Sequence, residues 1–421
     1  MPKTLDQWLA YIERQHPRPV EMGLDRVREV AARMALARPA AHVVTVAGTN
    51  GKGSTVAFVE AIARAAGLRT GAYTSPHLLR YNERVRIDGR DADDGALVGA
   101  FAAVESARGQ TPLTYFEFGT LAALWLFQRS QLDLAILEVG LGGRLDATNV
   151  VDADVAVVTT VDLDHQDWLG DDREAIGFEK AGIARAWKPL VLGDDDPPAS
   201  VLRHAYAIGA SAIRAGSDFF FESVDGAHWR WRELNFDMML PMPALAAPVQ
   251  LRNAATAIAA LRALDVELPQ DAFARGVPAA QVQGRLQRFG VGGIDVLVDV
   301  GHNPQAAGAL AAWLRAVPVA GRTHAVYAAL ADKDVVAVVE AVAGGVDQWW
   351  LAGSTDAGAR GLEAGVLARR LAGTPAAAAR VQDHVAQALP EAMAQAQAGD
   401  RVLVFGSFHA AVEALRVLAP G

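Results

Sequence analysis

The chain has 421 residues, 52% of them hydrophobic and 21% charged, with a formal net charge of −9 and no cysteine. That length exceeds one ordinary core and sets two or three domains as the expectation, while the missing cysteines exclude disulfides, thiolate metal sites and cysteine nucleophiles. The acidic balance argues against a nucleic-acid partner but is compatible with a locally positive nucleotide site. No apolar run reaches the roughly 18 to 20 residues of a membrane span, and Met1 to Leu9 lack the basic and apolar regions of an export signal, so a cytoplasmic address and no membrane partner are expected.

In chain order, His42 to Ala47 reads as a short β-branched strand ending in glycines, and Thr55 to Ala66 as an apolar-faced helix. Arg69 to Tyr73, Leu132 to Leu137, Val155 to Thr160 and Leu190 to Leu192 are further strands between helical stretches. The alternation predicts an α/β fold, a parallel sheet covered by helices on both faces, whose ligands bind beyond the carboxyl ends of the strands. Phe219 to Leu240, rich in aromatics, reads equally as a small β-hairpin region or an irregular insertion. Phe289 to Gly293 supplies turn residues and places a boundary near residues 285 to 292. Beyond it, Ile294 to Val298, His324 to Ala329, Gln348 to Leu351 and Arg401 to Phe405 are strand-like, and the alanine-rich tracts near Ala376 and Ala386 read as surface helix.

Val46 to Ser54 lies between a strand and a helix. Its glycines let the backbone turn N–H groups toward a phosphate, the helix start adds its dipole, and Lys52 reaches terminal phosphates. The match to the usual phosphate loop is imperfect: Val46 stands at the first glycine position, and Gly53 at the magnesium-binding hydroxyl. A plain glycine turn is the alternative. Thr74 to Leu78 follows the next strand at the same sheet edge, so Ser75 is a candidate magnesium ligand in place of the missing hydroxyl; alone, a serine before proline marks only a turn. Glu138 ends a strand beside the phosphate loop, as a metal-binding carboxylate or a salt-bridged terminus. Asp162, Asp164 and His165 end the next strand, as a second metal site or a surface loop. Glu179-Lys180 is unremarkable by spacing.

Taken in order, Gly48 to Ser54, Thr74 to Leu78, Asn82-Glu83-Arg84, Glu138 to Asn149, Asp164-His165, Glu179 to Ile183 and Asp299 to Pro304 resemble the Mur ligase superfamily, and within it the folylpolyglutamate synthases. The resemblance implies an N-terminal P-loop ATPase domain, taken as 1–288, and a C-terminal Rossmann-like α/β domain, 289–421, closing over it. It implies that Thr49, Asn50, Gly51, Lys52, Gly53 and Ser54 hold ATP, with Asn253, Arg285 and Asp299 as further nucleotide contacts and Arg285 at the domain junction. Ser75, Glu138 and His165 are implied as magnesium ligands, with two ions expected, and Lys180 as a lysine carbamylated to give an extra anionic ligand. Glu21, Met22, Gly23 and Leu24, with Thr114, Tyr115, Phe116 and Glu117, resemble the pterin-binding elements of bifunctional enzymes, and Leu145, Asp146 and Ala147 belong to the same pocket. Glu21 and Met22 depart from the usual Asp-Leu. Lys333, Ser407 and His302 are weaker candidates for the incoming glutamate.

The implied chemistry is ATP-dependent ligation. A folate-class carboxylate is phosphorylated to an acyl phosphate, and the glutamate amine displaces phosphate to form an amide, with the protein supplying position and charge neutralisation. Lys52, Lys180, His165 and Arg285 are the expected catalytic groups. Small-molecule substrates (dihydropteroate, reduced folates, L-glutamate and ATP) and a monomeric chain are expected. The alternatives are a monofunctional folylpolyglutamate synthase, another Mur-type amide ligase, and a P-loop switch or transport ATPase, which leaves the second domain unexplained.

Overall fold

The computed structural model describes residues 2–18 and 20–419. The chain divides into two compact units, Met1–Ala244 with Gln250–Gln281, and Leu245–Val249 with Val282–Gly421.

In the first unit, strands β1 (His42–Ala47), β2 (Thr70–Tyr73), β3 (Val85–Ile87), β4 (Arg90–Asp91), β5 (Leu134–Glu138), β6 (Val155–Val158), β7 (Pro189–Leu192) and β8 (Ser211–Arg214) form one sheet in the order β4-β3-β2-β5-β1-β6-β7-β8. Its body is parallel, with Val43 paired to Ala135 and Thr45 to Ala156; only the β2–β3 and β3–β4 pairings are antiparallel, so the sheet is mixed at one edge. Val43 to Ala47 are all buried, as expected of a central strand covered on both faces. The helix Lys52–Ala65 packs on β1, β2 and β5. The opposite face carries the helices Leu5–Ile12, Asp25–Arg33, Asp94–Arg108 and Tyr115–Gln128 around Trp8, Phe101 and Phe118 over one half. Helices Arg173–Ala181 and Ala199–Ile208 cover Val158, Leu190 and Leu192 over the other.

Two readings are refined. The first helix after β1 begins at Lys52 and not at Thr55, because Gly51, at φ +87°, makes the left-handed turn that starts it. The aromatic stretch is a β-hairpin region, two successive hairpins, and not an irregular insertion. Strands β9 (Phe219–Ser223), β10 (His228–Glu233) and β11 (Phe236–Pro241) form a three-stranded antiparallel sheet. Its buried Trp231 donates from the indole N–H to the Ala255 carbonyl at 3.1 Å.

The second unit holds β12 (Gln287–Val291), β13 (Ile294–Val298), β14 (Thr323–Tyr327), β15 (Gln348–Ala352), β16 (Arg380–Gln382) and β17 (Arg401–Phe405), ordered β12-β13-β17-β14-β15-β16. All neighbours are parallel except β12 with β13. A line between residues 288 and 289 passes through β12. Ala386 lies in the helix Val385–Gln395, but the tract at Ala376 is corrected: it is a surface turn in which Thr374 and Ala376 alone are buried between exposed neighbours. Gly373 and Pro375 interrupt it, and the Thr374 hydroxyl donates to the Leu371 carbonyl (2.8 Å) and accepts from the Ala376 N–H (3.2 Å).

Within the first unit, the helix Gln270–Ala279 meets Lys52–Ala65 so closely at Gly276 that a Cβ there collides with the backbone of Ile62. Since neither backbone yields cheaply, Gly276→Ala should destabilise the unit by about 1–3 kcal/mol in urea unfolding. An unchanged midpoint would show that the two helices slide apart at no cost.

Candidate functional site

Loops leaving β1, β2, β5 and β6 all emerge at the carboxyl edge of the first sheet, where β1 lies between β5 and β6. The phosphate loop is held there by the end of β6. The Thr49 N–H donates to the Thr160 carbonyl at 2.8 Å. The Asn50 N–H donates to Thr160 Oγ1 at 3.1 Å, and Thr159 Oγ1 donates to the Asn50 carbonyl at 2.6 Å. Thr49 Oγ1 both donates to the Asp162 carbonyl and accepts its N–H, each at 3.0 Å. Gly48, at φ +150°, leaves no room for a Cβ beside Thr159, and a Cβ on Gly51 would meet Asn253 Oδ1 at 2.5 Å. Asn253, 202 residues beyond Gly51 by sequence number, is thus brought against the loop. Thr159 and Thr160 were read only as strand; a pair of hydroxyls at a strand's carboxyl end is the signal that marks them. Lys52 Nζ donates to the carbonyls of Gly48 (2.8 Å) and Thr49 (3.2 Å). Ser54 is buried, and its hydroxyl has no hydrogen-bond partner among the described residues.

Ser75 and Glu138 are joined directly: the Ser75 N–H donates to Glu138 Oε2 at 3.2 Å. His165, left-handed at φ +53°, caps the short helix Gln166–Leu169 with its imidazole 3.9 Å from Asp164. A hydroxyl, a carboxylate and an imidazole are donors that suit a divalent ion whose remaining ligands are phosphate oxygens and water. Among the described residues no group of three or more His, Cys, Asp or Glu side chains is arranged to hold a metal by itself. Lys180 is buried at the end of Arg173–Ala181. Burial first, then the Lys52 charge, lower its pKa from 10.5 to about 7, with Asp164 opposing.

The elements assigned to a pterin are tied together by Arg26, which sequence reasoning missed because one of its partners, Glu117, is distant in sequence. Its Nη1 donates to Glu21 Oε1 at 2.8 Å and its Nη2 to Glu117 Oε1 at 2.9 Å. Thr114 and Glu117 are both buried and form a capping box at the start of Tyr115–Gln128, so their side chains serve the helix first. The Gly23 N–H donates to the Leu145 carbonyl at 3.3 Å, Met22 reaches toward Gly142, and Phe116 lies against Gly140. Asp146 accepts the N–H groups of Gly140 (3.0 Å), Leu141 (2.9 Å) and Thr148 (3.0 Å). Burial raises its pKa, and those hydrogen bonds oppose the rise. Leu24 is buried before Asp25–Arg33, and Tyr115 and Ala147 flank the same core.

Within the second unit, Asp299 accepts the N–H groups of Leu286 (2.9 Å) and Gly301 (2.7 Å). Burial pushes its pKa up and the Arg285 charge pulls it down. Arg285 lies 5.5 Å from the ring centre of Phe408, and His302 Nδ1 is 3.0 Å from the Val300 carbonyl. Ser407 is the N-cap of Phe408–Leu418; its hydroxyl donates to Ala328 (2.9 Å) and accepts from the Ala410 N–H (3.0 Å). Lys333 is buried, 3.8 Å from Asp332.

Comparisons with known proteins add to this geometry. Residues 46–261 match the Mur ligase middle domain, and 284–408 the Mur ligase glutamate ligase domain. The chain is 46% identical over 415 residues to the dihydrofolate synthase/folylpolyglutamate synthase of Escherichia coli K12, covering 98% of this chain and 95% of that protein. A structure of E. coli FolC in complex with DHPP and ADP superposes with a TM-score of 0.93 at 46% identity, covering 99% of each chain. A bifunctional folylpolyglutamate synthase/dihydrofolate synthase with Mn, AMPPNP and L-glutamate bound gives 0.91 at 44% identity, covering 99% of this chain and 98% of that one.

A lysine with a pKa of about 7 is protonated below neutrality and a free amine above it. Cyanate, which attacks neutral amines, should therefore modify Lys180 with a midpoint near pH 7, read by peptide mass spectrometry, and Lys52→Met should move that midpoint upward. A midpoint in the ordinary lysine range of about 10 would refute the assignment.

Proposed function

Because the chain belongs to the Mur ligase family, and within it to the dihydrofolate synthase/folylpolyglutamate synthases, we propose that it uses ATP to join L-glutamate to dihydropteroate and to reduced folates. The observation that carries the reading is one segment, Glu138 to Ala147, that serves two neighbourhoods. It opens with the carboxylate bonded to Ser75 beside the phosphate loop. A few residues on, it becomes the glycine loop held by Asp146 against Phe116 and Gly23. An acceptor on that loop has its carboxylate within reach of a nucleotide on the other end.

In this reading Thr49 to Ser54 and Asn253 hold ATP, and Lys52 trades its carbonyl contacts for phosphate oxygens. Ser75, Glu138 and His165 hold magnesium, with two ions per site, which when bound would screen the phosphates and make the γ-phosphorus more electrophilic. Glu21 to Leu24, Thr114 to Glu117 and Leu145 to Ala147 shape the acceptor pocket. Arg285 and Asp299 are assigned to the nucleotide, and Lys333, His302 and Ser407 to the incoming glutamate, on the family resemblance. An acceptor oxygen attacks the γ-phosphorus and ADP leaves; the glutamate amine then attacks the acyl carbon, phosphate leaves, and the amine proton is lost. The protein contributes position and electrostatic preorganisation.

Lys180 is assigned to carbamylation. Its free amine adds to carbon dioxide, loses a proton and becomes a carbamate anion beside Lys52. What supports this is an amine largely uncharged near neutrality in a buried setting. A cytoplasmic monomer is part of the same reading, the compartment being supported by the absence of cysteine. Among the described residues no helix is long and apolar enough to cross a membrane.

Incubation with ATP, glutamate and either dihydropteroate or tetrahydrofolate, read by mass spectrometry, should yield a glutamate adduct of each. An adduct of the folate alone reduces the enzyme to a monofunctional synthase. Ser75→Ala should raise the magnesium concentration needed for half-maximal turnover by at least about tenfold, the size expected for one lost charge-assisted or ligand contact. Ser54→Ala should raise it less, since its hydroxyl is buried away from solvent. The reverse order would move the ligand to Ser54.

A further inference from the structure

Beside the loop that carries Ser75 lies a buried cation that no carboxylate among the described residues neutralises. Arg84 ends the turn Tyr81–Arg84 and is only 9% exposed. Its Nε donates to His77 Nδ1 at 2.8 Å, and its guanidinium carbon lies 5.3 Å from the ring centre of Tyr81 and 5.4 Å from that of Tyr115. The guanidinium also faces the Tyr73 hydroxyl. Among the described residues it forms no ion pair with an acid.

The acids that act on this cluster are already committed. Glu83 accepts the N–H groups of Leu78 (2.7 Å), Leu79 (2.8 Å) and Arg80 (2.7 Å). Asp146 is held by its own loop. His77 accepts the Arg84 Nε–H on its Nδ1 and so brings no negative charge to the cluster. Aromatic faces repay part of the cost of burying a guanidinium, but an anion with parallel acceptors repays it best. Position says which anion. The Arg84 carbonyl accepts the Thr74 N–H at 2.9 Å, one residue before Ser75. The ring over the guanidinium, Tyr115, belongs to the proposed acceptor pocket.

We propose that Arg84 binds the carboxylate of the acceptor, pairing with its two oxygens and holding it on the side of Ser75 and Glu138. This rests on dihydropteroate as acceptor, as argued above. In the free enzyme the tyrosines and His77 hold the cation in place, so little side-chain entropy is lost on pairing.

The test compares the affinity of the full-length enzyme for dihydropteroate with that for its decarboxylated analogue, in which hydrogen replaces the carboxylate, by isothermal calorimetry. Arg84→Gln should weaken dihydropteroate at least about tenfold and leave the analogue within about twofold, with ADP affinity unchanged as proof of folding. If the glutamine variant does not fold, Arg84→Lys, which keeps the charge but loses the planar fork, is read the same way and should discriminate between the two ligands in the same direction. Equal weakening of both ligands overturns the role of Arg84 alone and makes it a pocket-shaping residue, and no weakening of either sends the carboxylate elsewhere. Wild-type enzyme that binds ADP but neither ligand overturns the acceptor assignment and this proposal together.

Discussion

The phosphate loop can turn its amides outward only because the neighbouring strand end takes over its remaining hydrogen bonds. Buried backbone groups must be paired, and a loop aimed at a ligand has no regular ladder to supply partners. Here Thr159, Thr160 and Asp162 supply them, through both hydroxyls and main chain, within 2.6–3.1 Å. The same closeness forbids a side chain at Gly48. Everything else at this edge is registered against that clamp, since β5 and β2 are paired to β1 through a continuous parallel ladder.

One device recurs in both units. A carboxylate following a strand's carboxyl end turns back on the amides around it: Asp146 on Gly140, Leu141 and Thr148, and Asp299 on Leu286 and Gly301. Burial raises the pKa of each, and its hydrogen bonds oppose the rise. Each of these acids organises glycine-containing backbone, a role distinct from touching a ligand. Thr114, Glu117 and Ser407 act similarly, as helix caps. Family motifs thus combine residues that meet substrates with residues that hold those residues still.

Electrostatics divides the chain differently from its composition. The net charge is −9, yet Lys52 and Lys180 face one another closely enough for one to depress the other, and Arg84 is buried with no acid paired to it among the described residues. Concentrated positive charge is costly in the free protein and favourable once polyanionic substrates arrive. The acidic remainder of the chain does not cancel it, because exposed charges are screened over about 10 Å.

Local pattern was enough for much of this protein. The valine-rich run of β1, and β13 and β17, are bounded as the β-branched residues alone suggest, because strand burial writes itself into short apolar runs. The ordered motifs identify the family for a related reason: glycines and strand-end polar residues keep their spacing along the chain. What spacing cannot carry is contact across the chain. The Ser75–Glu138 bond, the approach of Asn253 to Gly51, and the Arg26 link between Glu21 and Glu117 join segments remote in sequence. The lowered pKa of Lys180 needs burial and a neighbouring cation, and neither is a property of Glu-Lys-Ala-Gly as a string. Even the Ala376 tract, helical by composition, became a turn through Gly373, Pro375 and a threonine hydroxyl. Sequence determined which chemical groups are present and which strands carry them; tertiary structure decided their company, because desolvation and Coulomb interaction depend on distance in space and not along the chain.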